Sequence, residues 1–537
     1  MMSPTPRPLP DSFAAYIWTE TAQDVARRRG LDPAAVIRFD ANVPPLPGVP
    51  RIPIGESFAR LNEYPPGGYR ELHAAAASYV GTRPEQIVLG AGSDSLIHLV
   101  ARTYLGVGRT AAVVDLPTYS LYGIASQIEG GEVVGCSLED APEAAAQAAV
   151  IWICNPHNPT GSVYRCEDIV ALAKRRPESL VAIDEAYVEY GAESMVPYLD
   201  EVPNCIVLRT LSKAFGFAAL RVGYAVCAPE VASELRKRSE PAPISSPSAR
   251  IVAAALREPR LDVEETVQER SRVREALLAA GYDCPPSAGN FLLLRVEKAD
   301  QLADELEAKG LVLRRYRNGL RFTVRLPAEN DRLLEALGVA AAPSARRTGL
   351  VVRTTAETGV RVSLALDGQG RARIDTGVGF LDHLLTLFAF HGGIDLELLA
   401  GGDLEVDEHH TVEDVLAALG EALAQALGAR TGLSRYGSAT VPMDEASGTA
   451  AVDLGSRPHA EVALAFTGDR VGGLALSLLP HALERFAMQG RFTLHVEASG
   501  KDDHHVAEAA FKALGRALAG ACASAGTQAI TSTKGEA

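Results

Sequence analysis

Two groups of residues in this chain have types and spacings that could do chemistry. The first centres on Lys213, in TLSKAFG (210–216), with Asp184 closing the apolar run LVAID (180–184) and Asn158 in NPHNPTG (155–161). An amine that can form an imine with a carbonyl, near an acid that can keep a heterocyclic nitrogen protonated, suits carbanion chemistry. The second group is HHTVED (409–414) and HHVAEA (504–509), which pair His409 with Glu413 and His504 with Glu508 four positions apart. On a helix, positions i and i+4 share a face, so each pair can grip a metal ion. His410 and His505, one position further on, could serve a second ion. A single lysine is usually a solvated surface group, and a lone histidine–glutamate pair is usually a salt-bridged helix face. Here the company reverses both readings. Imidazole and carboxylate without thiolate favour Mn, Fe or Zn.

The elements that must position these residues change along the chain. Up to about residue 340, apolar runs of strand length alternate with helical stretches such as DSLIHLVARTYL (94–105) and CEDIVALAKRRP (166–177). The runs are AAVVDL (111–116), VIWIC (150–154), LVAID (180–184) and CIVLR (205–209). The expected fold is α/β, with a mostly parallel central sheet and helices on both faces. Ligands of such sheets bind beyond the carboxyl ends of the strands, where Asp184, Asn158 and Lys213 fall. AAPSARR (341–347) breaks the pattern and reads as a linker, giving domains at 1–345 and 346–537. Beyond it, VVRTTAETGVRVSLALDG (351–368) alternates apolar and polar residues, as a half-exposed antiparallel sheet does. GGDLEVDEHHTVEDVLAALGEALAQAL (401–427) is echoed by SGKDDHHVAEAAFKALGRALAGA (499–521). The second domain is therefore expected to be α+β, made of two duplicated sheet-plus-helix halves.

Composition narrows the setting. The 537 residues are 47% hydrophobic and 22% charged, as in folded soluble proteins. The net charge of −15 disfavours general attraction to nucleic acid or acidic membrane. No stretch approaches the ~20 apolar residues of a membrane span. MMSPTPRPLPDSFAAYIW lacks the basic-then-apolar pattern of a secretory signal, and the seven cysteines show no CxxC spacing. A reducing cytoplasm is the expected location.

The N-terminal motifs, in this order, resemble fold-type I aminotransferases over about residues 35–340, in particular the histidinol-phosphate aminotransferase family. The resemblance implies pyridoxal 5′-phosphate, with Lys213 carrying the Schiff base and proton transfer and Asp184 facing the pyridinium. It implies Asn158 and Tyr187 on the ring oxygen and Tyr119, in PTYSLY, stacked on the ring. It also implies Ser93 and Asp94 (in LGAGSDSLI), Ser212 and Arg221 (in ALRVGY) around the phosphate, and Arg321 (in GLRFTV) on the amino donor's carboxylate. Tyr64, in NEYPPGGYRELH, resembles a tyrosine that reaches the cofactor of a neighbouring subunit, which implies a dimer. On the substrate side, the family's Asn-Glu-Asn-Pro-Tyr-Gly is here ANVPPLPG (41–48), keeping Asn42 and losing the tyrosine. A transaminase for another keto acid, or a PLP decarboxylase, also fits these residues.

Residues 348–537 resemble imidazoleglycerol-phosphate dehydratases through RTTAET (353–358), TGVGFLDHLL (376–385), DEHHTVED, RYG (435–437), PMDEA (442–446), HHVAEAAFK and STKG (532–535). The resemblance implies two manganese ions per site held by His383, His409, His410, Glu413, His495, His504, His505 and Glu508. It implies a substrate-phosphate site of Arg435, Arg457, Lys512, Ser532 and Lys534, a proton-transfer role for Glu357, and a trimer-based particle. The product of that dehydration is the amino acceptor of the first family, so the two halves read as consecutive steps of histidine biosynthesis. The alternative is that the metal sites only cement an assembly.

Overall fold

A computed structural model describes residues 8–11, 13–31, 36–44, 62–65, 68–259, 261, 263–340, 347–355, 357–368, 370–402, 404 and 406–525. The chain forms two compact units, Met1–Ala342 and Pro343–Ala537. Among the described residues no helix is long and apolar enough to cross a membrane.

In the first unit, seven described strands form one sheet. Their order is Ile87–Gly90, Gly223–Cys227, Cys205–Thr210, Leu180–Asp184, Ala148–Cys154, Thr110–Val114 and Glu132–Cys136. The last five pair in parallel, whereas Gly223–Cys227 runs antiparallel to both its neighbours, so the sheet is mixed. Ala148–Cys154 is buried at every position. Successive side chains of a strand point to opposite faces. Ile151 and Ile153 accordingly join one apolar core, while Val150 and Trp152 join another.

This burial fixes the edge where the chemistry lies. Cys154 is in register with Asp184, and Asp184 with Leu208, so three neighbouring parallel strands end close together. The loops that leave them carry Asn158, Tyr187 and Lys213. A smaller antiparallel sheet places Gly319–Thr323 between Phe291–Arg295 and Arg314–Tyr316, which puts Arg321 on a central strand. The Thr323 N–H donates to Phe39 O at 2.7 Å and holds the segment containing Asn42 beside that strand.

The second unit repeats one plan twice. Its first sheet runs Thr348–Thr354, Thr358–Ala365, Asp395–Gly402, Ala372–Asp375; its second runs Tyr436–Met443, Ala446–Asp453, Thr493–Ser499, His459–Leu464. In both, the last pair is parallel and the others antiparallel. Each half adds a shorter helix, Gly379–Gly392 or Leu478–Gly490, and a longer one, His409–Leu427 or Asp503–Cys522. The helices pair across the halves: Gly379–Gly392 packs on Asp503–Cys522, and Leu478–Gly490 on His409–Leu427. One apolar core runs through both halves. The approach is close enough to exclude side chains. A Cβ on Gly515 would lie 2.5 Å from Phe388 O, and one on Gly420 would lie 2.3 Å from Phe486 O.

Candidate active sites

In the first unit, Asp184 is buried at its strand end. Its Oδ2 accepts the Tyr122 O–H at 2.7 Å, and its Oδ1 accepts the Ala186 N–H at 3.0 Å. Burial outweighs these bonds and raises the carboxyl to about 6. Lys213 Nζ donates to Ala41 O at 3.4 Å and lies 5.6 Å from the Tyr187 ring centre. Burial, and after it the positive Arg321, lowers its ammonium to about 8. The Asn42 amide donates to the Tyr187 hydroxyl at 3.2 Å, and Arg321 Nη1 donates to Asn158 Oδ1 at 2.6 Å. Arg321 is buried, and among the described residues its Nε has no hydrogen-bond partner. A buried guanidinium with a spare donor is prepared to take a carboxylate.

Ser93 and Asp94 open the helix Gly92–Tyr104, whose first N–H groups can face an anion. The Asp94 carboxylate is already engaged: Tyr119 donates to it at 2.9 Å and Arg221 Nη2 at 2.8 Å. Asp94 can therefore serve an anion through its backbone N–H and by holding Arg221 in place, because its own charge would repel one. Gly92 has φ +78°, and a Cβ there would lie 2.9 Å from Arg221 Nη2, so only glycine leaves this cradle open. Ser212 accepts the Thr210 hydroxyl at 3.0 Å, which orients it just before Lys213. Tyr64 is 88% exposed in the single chain.

In the second unit the helix pairing builds two reciprocal clusters. His383 Nε2, from the first half, lies 2.6 Å from Glu508 Oε1, and His504 Nε2 lies 3.0 Å from the same atom. The ligand atoms of these three residues fall within 4.8 Å of one another. Lys512 Nζ pairs with Glu508 Oε2 at 2.6 Å. Burial pushes the Glu508 carboxyl up, but hydrogen bonds from Lys512 and His383 hold it down at about 2. The mirror cluster joins His409 and Glu413 of the first half, 3.6 Å apart, with His481 of the second, 3.4 Å from Glu413 Oε2. Arg485 stands 2.9 Å from Glu413 Oε1, as Lys512 does beside Glu508. The second histidine of each doublet turns to a hairpin tip. His410 Nδ1 is 3.5 Å from Glu357 Oε2, and His505 Nδ1 is 3.0 Å from Glu445 Oε2.

Residues 376–518 match the imidazoleglycerol-phosphate dehydratase family, and residues 36–337 match aminotransferase class I and II. Over 178 residues the chain is 53% identical to an imidazoleglycerol-phosphate dehydratase of Chloroflexus aggregans, covering 33% of this chain and 87% of that protein. Over 330 residues it is 36% identical to a histidinol-phosphate aminotransferase of Desulfitobacterium hafniense, covering 56% of this chain and 91% of that one. The chain belongs to both families. The aminotransferase unit also resembles the crystal structure of a Sinorhizobium meliloti histidinol-phosphate aminotransferase in complex with pyridoxal-5′-phosphate. There the identity is 25% and the TM-score 0.55, over 61% of this chain and 97% of that one.

Of the residues expected at the cofactor, the aminotransferase unit brings Asn42 to Tyr187, Tyr187 to Lys213, Arg321 to Asn158, and Lys213 near both Asp184 and Arg321. Tyr122, which the sequence reading did not single out, joins them through its bond to Asp184; it lies three positions after Tyr119, in the first turn of the helix Leu121–Ile128. In the dehydratase unit, three of the expected ligands lie outside the two clusters: His410 and His505, which turn to the hairpin tips, and His495. His495 alternates with buried Leu494 and Val496 on the strand Thr493–Ser499, so it points to the exposed face, beside His459 and opposite Glu461. His481, which was not among the expected ligands, stands 3.4 Å from Glu413 Oε2. LDHLLTLFAFHG (381–392) against LPHALERFAMQG (479–490) aligns His383 with His481, which is the signal that would have found it. Arg435 makes paired bonds to Asp453 at 2.7 and 3.1 Å, and exposed Arg457 lies close enough to lower the same carboxyl's pKa. Lys512 belongs to the Glu508 cluster. Ser532 and Lys534 lie outside the described residues.

Both sites fit the groups their families imply. A buried carboxylate that forms no ion pair among the described residues, close enough to Lys213 to feel its charge, suits the pyridinium of pyridoxal phosphate. Two imidazoles and a carboxylate within 4.8 Å suit a divalent metal ion.

Proposed function

We propose that the two units catalyse consecutive steps of histidine biosynthesis. The dehydratase unit converts imidazoleglycerol phosphate to imidazole acetol phosphate, and the aminotransferase unit converts that ketone, with glutamate, to histidinol phosphate. What carries the reading is the presence, on one chain, of the Lys213–Asp184 pocket and two reciprocal histidine–glutamate clusters.

In the aminotransferase unit, Asp184 would face the ring nitrogen of pyridoxal phosphate, with Asn158 and Tyr187 at the ring oxygen and Tyr119 against the ring. Ser93, Ser212, Arg221 and the N–H of Asp94 would hold its phosphate. Bound there, the cofactor supplies an electron sink for the substrate's Cα. Lys213, with its amine lowered to about 8, can hold and return the Cα proton near neutral pH. Arg321 grips the glutamate carboxylate, and Asn42 orients Tyr187. Tyr64, exposed in one chain, supports completion of the pocket by a second copy.

In the dehydratase unit, His383, His504 and Glu508 would hold one metal, and His409, Glu413 and His481 another, with His410, His495 and His505 available to complete either site; the proposed ion is Mn²⁺. A divalent ion there supplies a Lewis acid for the imidazole ring. Glu357 carries the proton from the substrate carbon, because it is half exposed beside His410 and free to meet a substrate. Hydroxide leaves from the neighbouring carbon, and the resulting enol becomes the ketone. Arg435, Arg457, Lys512, Ser532 and Lys534 would receive the phosphate. The half-exposed histidines support completion of the site in a larger assembly. The seven free cysteines support a reducing, cytoplasmic setting.

The test supplies purified chain with imidazoleglycerol phosphate, Mn²⁺, pyridoxal phosphate and glutamate, and follows histidinol phosphate. Lys213→Ala should stop the sequence at the ketone, with transamination reduced by about 10³-fold or more. Glu357→Gln should stop it at the first substrate with metal still bound. Metal-loaded protein that never consumes imidazoleglycerol phosphate would leave only the assembly role for the clusters.

A further inference from the structure

The twofold plan of the dehydratase unit places a glutamate at the tip of the first hairpin of each half. Glu357 lies between Thr348–Thr354 and Thr358–Ala365, and Glu445 between Tyr436–Met443 and Ala446–Asp453. Each faces the Nδ1 of the second histidine in its half's doublet, at 3.5 Å for His410 and 3.0 Å for His505. The two glutamates differ in how they are held. Glu357 has a side chain 55% exposed, whereas that of Glu445 is 31% exposed and uses both oxygens. Its Oε2 meets His505 Nδ1, and its Oε1 accepts the Asp502 N–H at 2.9 Å. Asp502 in turn caps the helix Asp503–Cys522 by accepting the His504 N–H at 2.9 Å.

We propose that Glu445 is a positioning residue for the metal centre, holding His505 in the tautomer and orientation that present Nε2 as a ligand; the one carboxylate near Nε2, Asp444 at 3.8 Å, is 74% exposed and can turn away into water. An imidazole that donates its Nδ1–H to a fixed carboxylate keeps its Nε2 lone pair free and more basic, and such outer partners govern metal affinity. Because Asp502 anchors the second oxygen, Glu445 cannot rotate toward a substrate without giving up a bond. The duplication has thus split one geometry into two tasks: a more exposed, singly held carboxylate at position 357 and a clamped one at 445.

The inference rests on the metal-site reading above, and the test separates the two. Metal-stripped full-length protein is titrated with Mn²⁺ alone, to millimolar concentration, and free ion is read by electron paramagnetic resonance. Glu445→Ala should weaken binding by about 10–100-fold, and Glu445→Gln, which keeps one acceptor, should fall between it and wild type. The absorbance of bound pyridoxal phosphate on the same chain checks that the other unit is unperturbed, and metal-free melting checks the fold. In a His505→Gln background, Glu445→Ala should cause no further loss, because the partner it orients has gone. Equal losses in both backgrounds would assign the effect to the helix cap instead and overturn the proposal, as would unchanged affinity in Glu445→Ala. Wild-type protein that binds no Mn²⁺ would instead sink the metal-site reading itself.

Discussion

At the aminotransferase pocket, Asp184 is buried with a tyrosine and a backbone N–H as its hydrogen-bond donors, and among the described residues it forms no ion pair. At the dehydratase clusters, each glutamate already has a cation beside it, Lys512 for Glu508 and Arg485 for Glu413. The chain's own described side chains thus give Asp184 no ion-pair partner, and its desolvation is a cost that pairing with a cationic ring nitrogen would offset. The clusters are balanced by the chain's own side chains. Their histidines are 43–48% exposed at positions 383, 409, 481 and 504, so a bound ion there still needs to be shielded by substrate or another chain. One site is completed by a cofactor held within a sheet edge, the other by joining two repeats.

The sharpest way to break this contrast is to unbalance a cluster. Glu508→Ala would leave Lys512, only 13% exposed, without its counter-charge. Removing one member of such a buried pair should destabilise the metal-free dehydratase unit by about 3–5 kcal/mol. Glu413→Ala leaves the Arg485 Nε buried, but the side chain as a whole is 33% exposed, so the loss should be smaller, about 1–2 kcal/mol. Denaturant unfolding of the two variants checks the difference. Equal losses would mean that the two clusters are balanced alike.

The next test concerns the unbalanced pocket. Asp184, raised from 3.8 to about 6, binds a proton more tightly folded than unfolded. Cofactor-free aminotransferase should therefore lose stability as pH rises between about 4 and 6, by roughly 2–3 kcal/mol in total. Lys213 has the opposite slope: lowered from 10.5 to about 8, it should give stability back as pH rises from about 8 to 10.5. Asp184→Asn should flatten the acid limb and keep the alkaline one, as read from melting temperatures across pH. Saturating the wild type with pyridoxal phosphate should also shrink the acid limb. A limb that survives Asp184→Asn intact would place the unbalanced charge elsewhere.

How much of this could be read in the sequence differed between the sites for a physical reason. The pocket motifs follow continuous apolar runs, and parallel strands buried on both faces leave those runs little freedom, so Lys213, Asp184 and Asn158 could be placed at one sheet edge. His409, Glu413, His504 and Glu508 were legible because helix periodicity is local. The partners across the repeat were not local. His481 has no doublet of its own and acquires meaning only when the two halves are superimposed. His495 lies with Glu497 and Ser499 on the exposed side of TLHVEAS, away from both clusters within one chain. That the Asp94 carboxylate braces Arg221 and accepts from Tyr119 was equally illegible, because both partners are distant in sequence.

The clusters also depend on a helix approach that the pocket does not share, and this permits a smaller, cleaner test. His383 reaches Glu508 because Gly379–Gly392 lies against Asp503–Cys522 with Gly515 at the crossing. A methyl at 515 would meet the backbone oxygen of Phe388 at 2.5 Å, and a backbone cannot swing aside as a side chain can. Gly515→Ala should therefore push the helices apart, destabilise the dehydratase unit by about 1–3 kcal/mol and weaken Mn²⁺ binding, while leaving cofactor absorbance in the aminotransferase unit unchanged. Gly520, on the same helix, supplies the control: a methyl there would meet nothing nearer than Gly437 Cα at 3.7 Å, an ordinary contact. Gly520→Ala should be neutral or stabilising by up to about 1 kcal/mol, since alanine favours the helix. If both substitutions behaved alike, helix propensity alone would govern the crossing, and the tight approach would not be what holds His383 against Glu508.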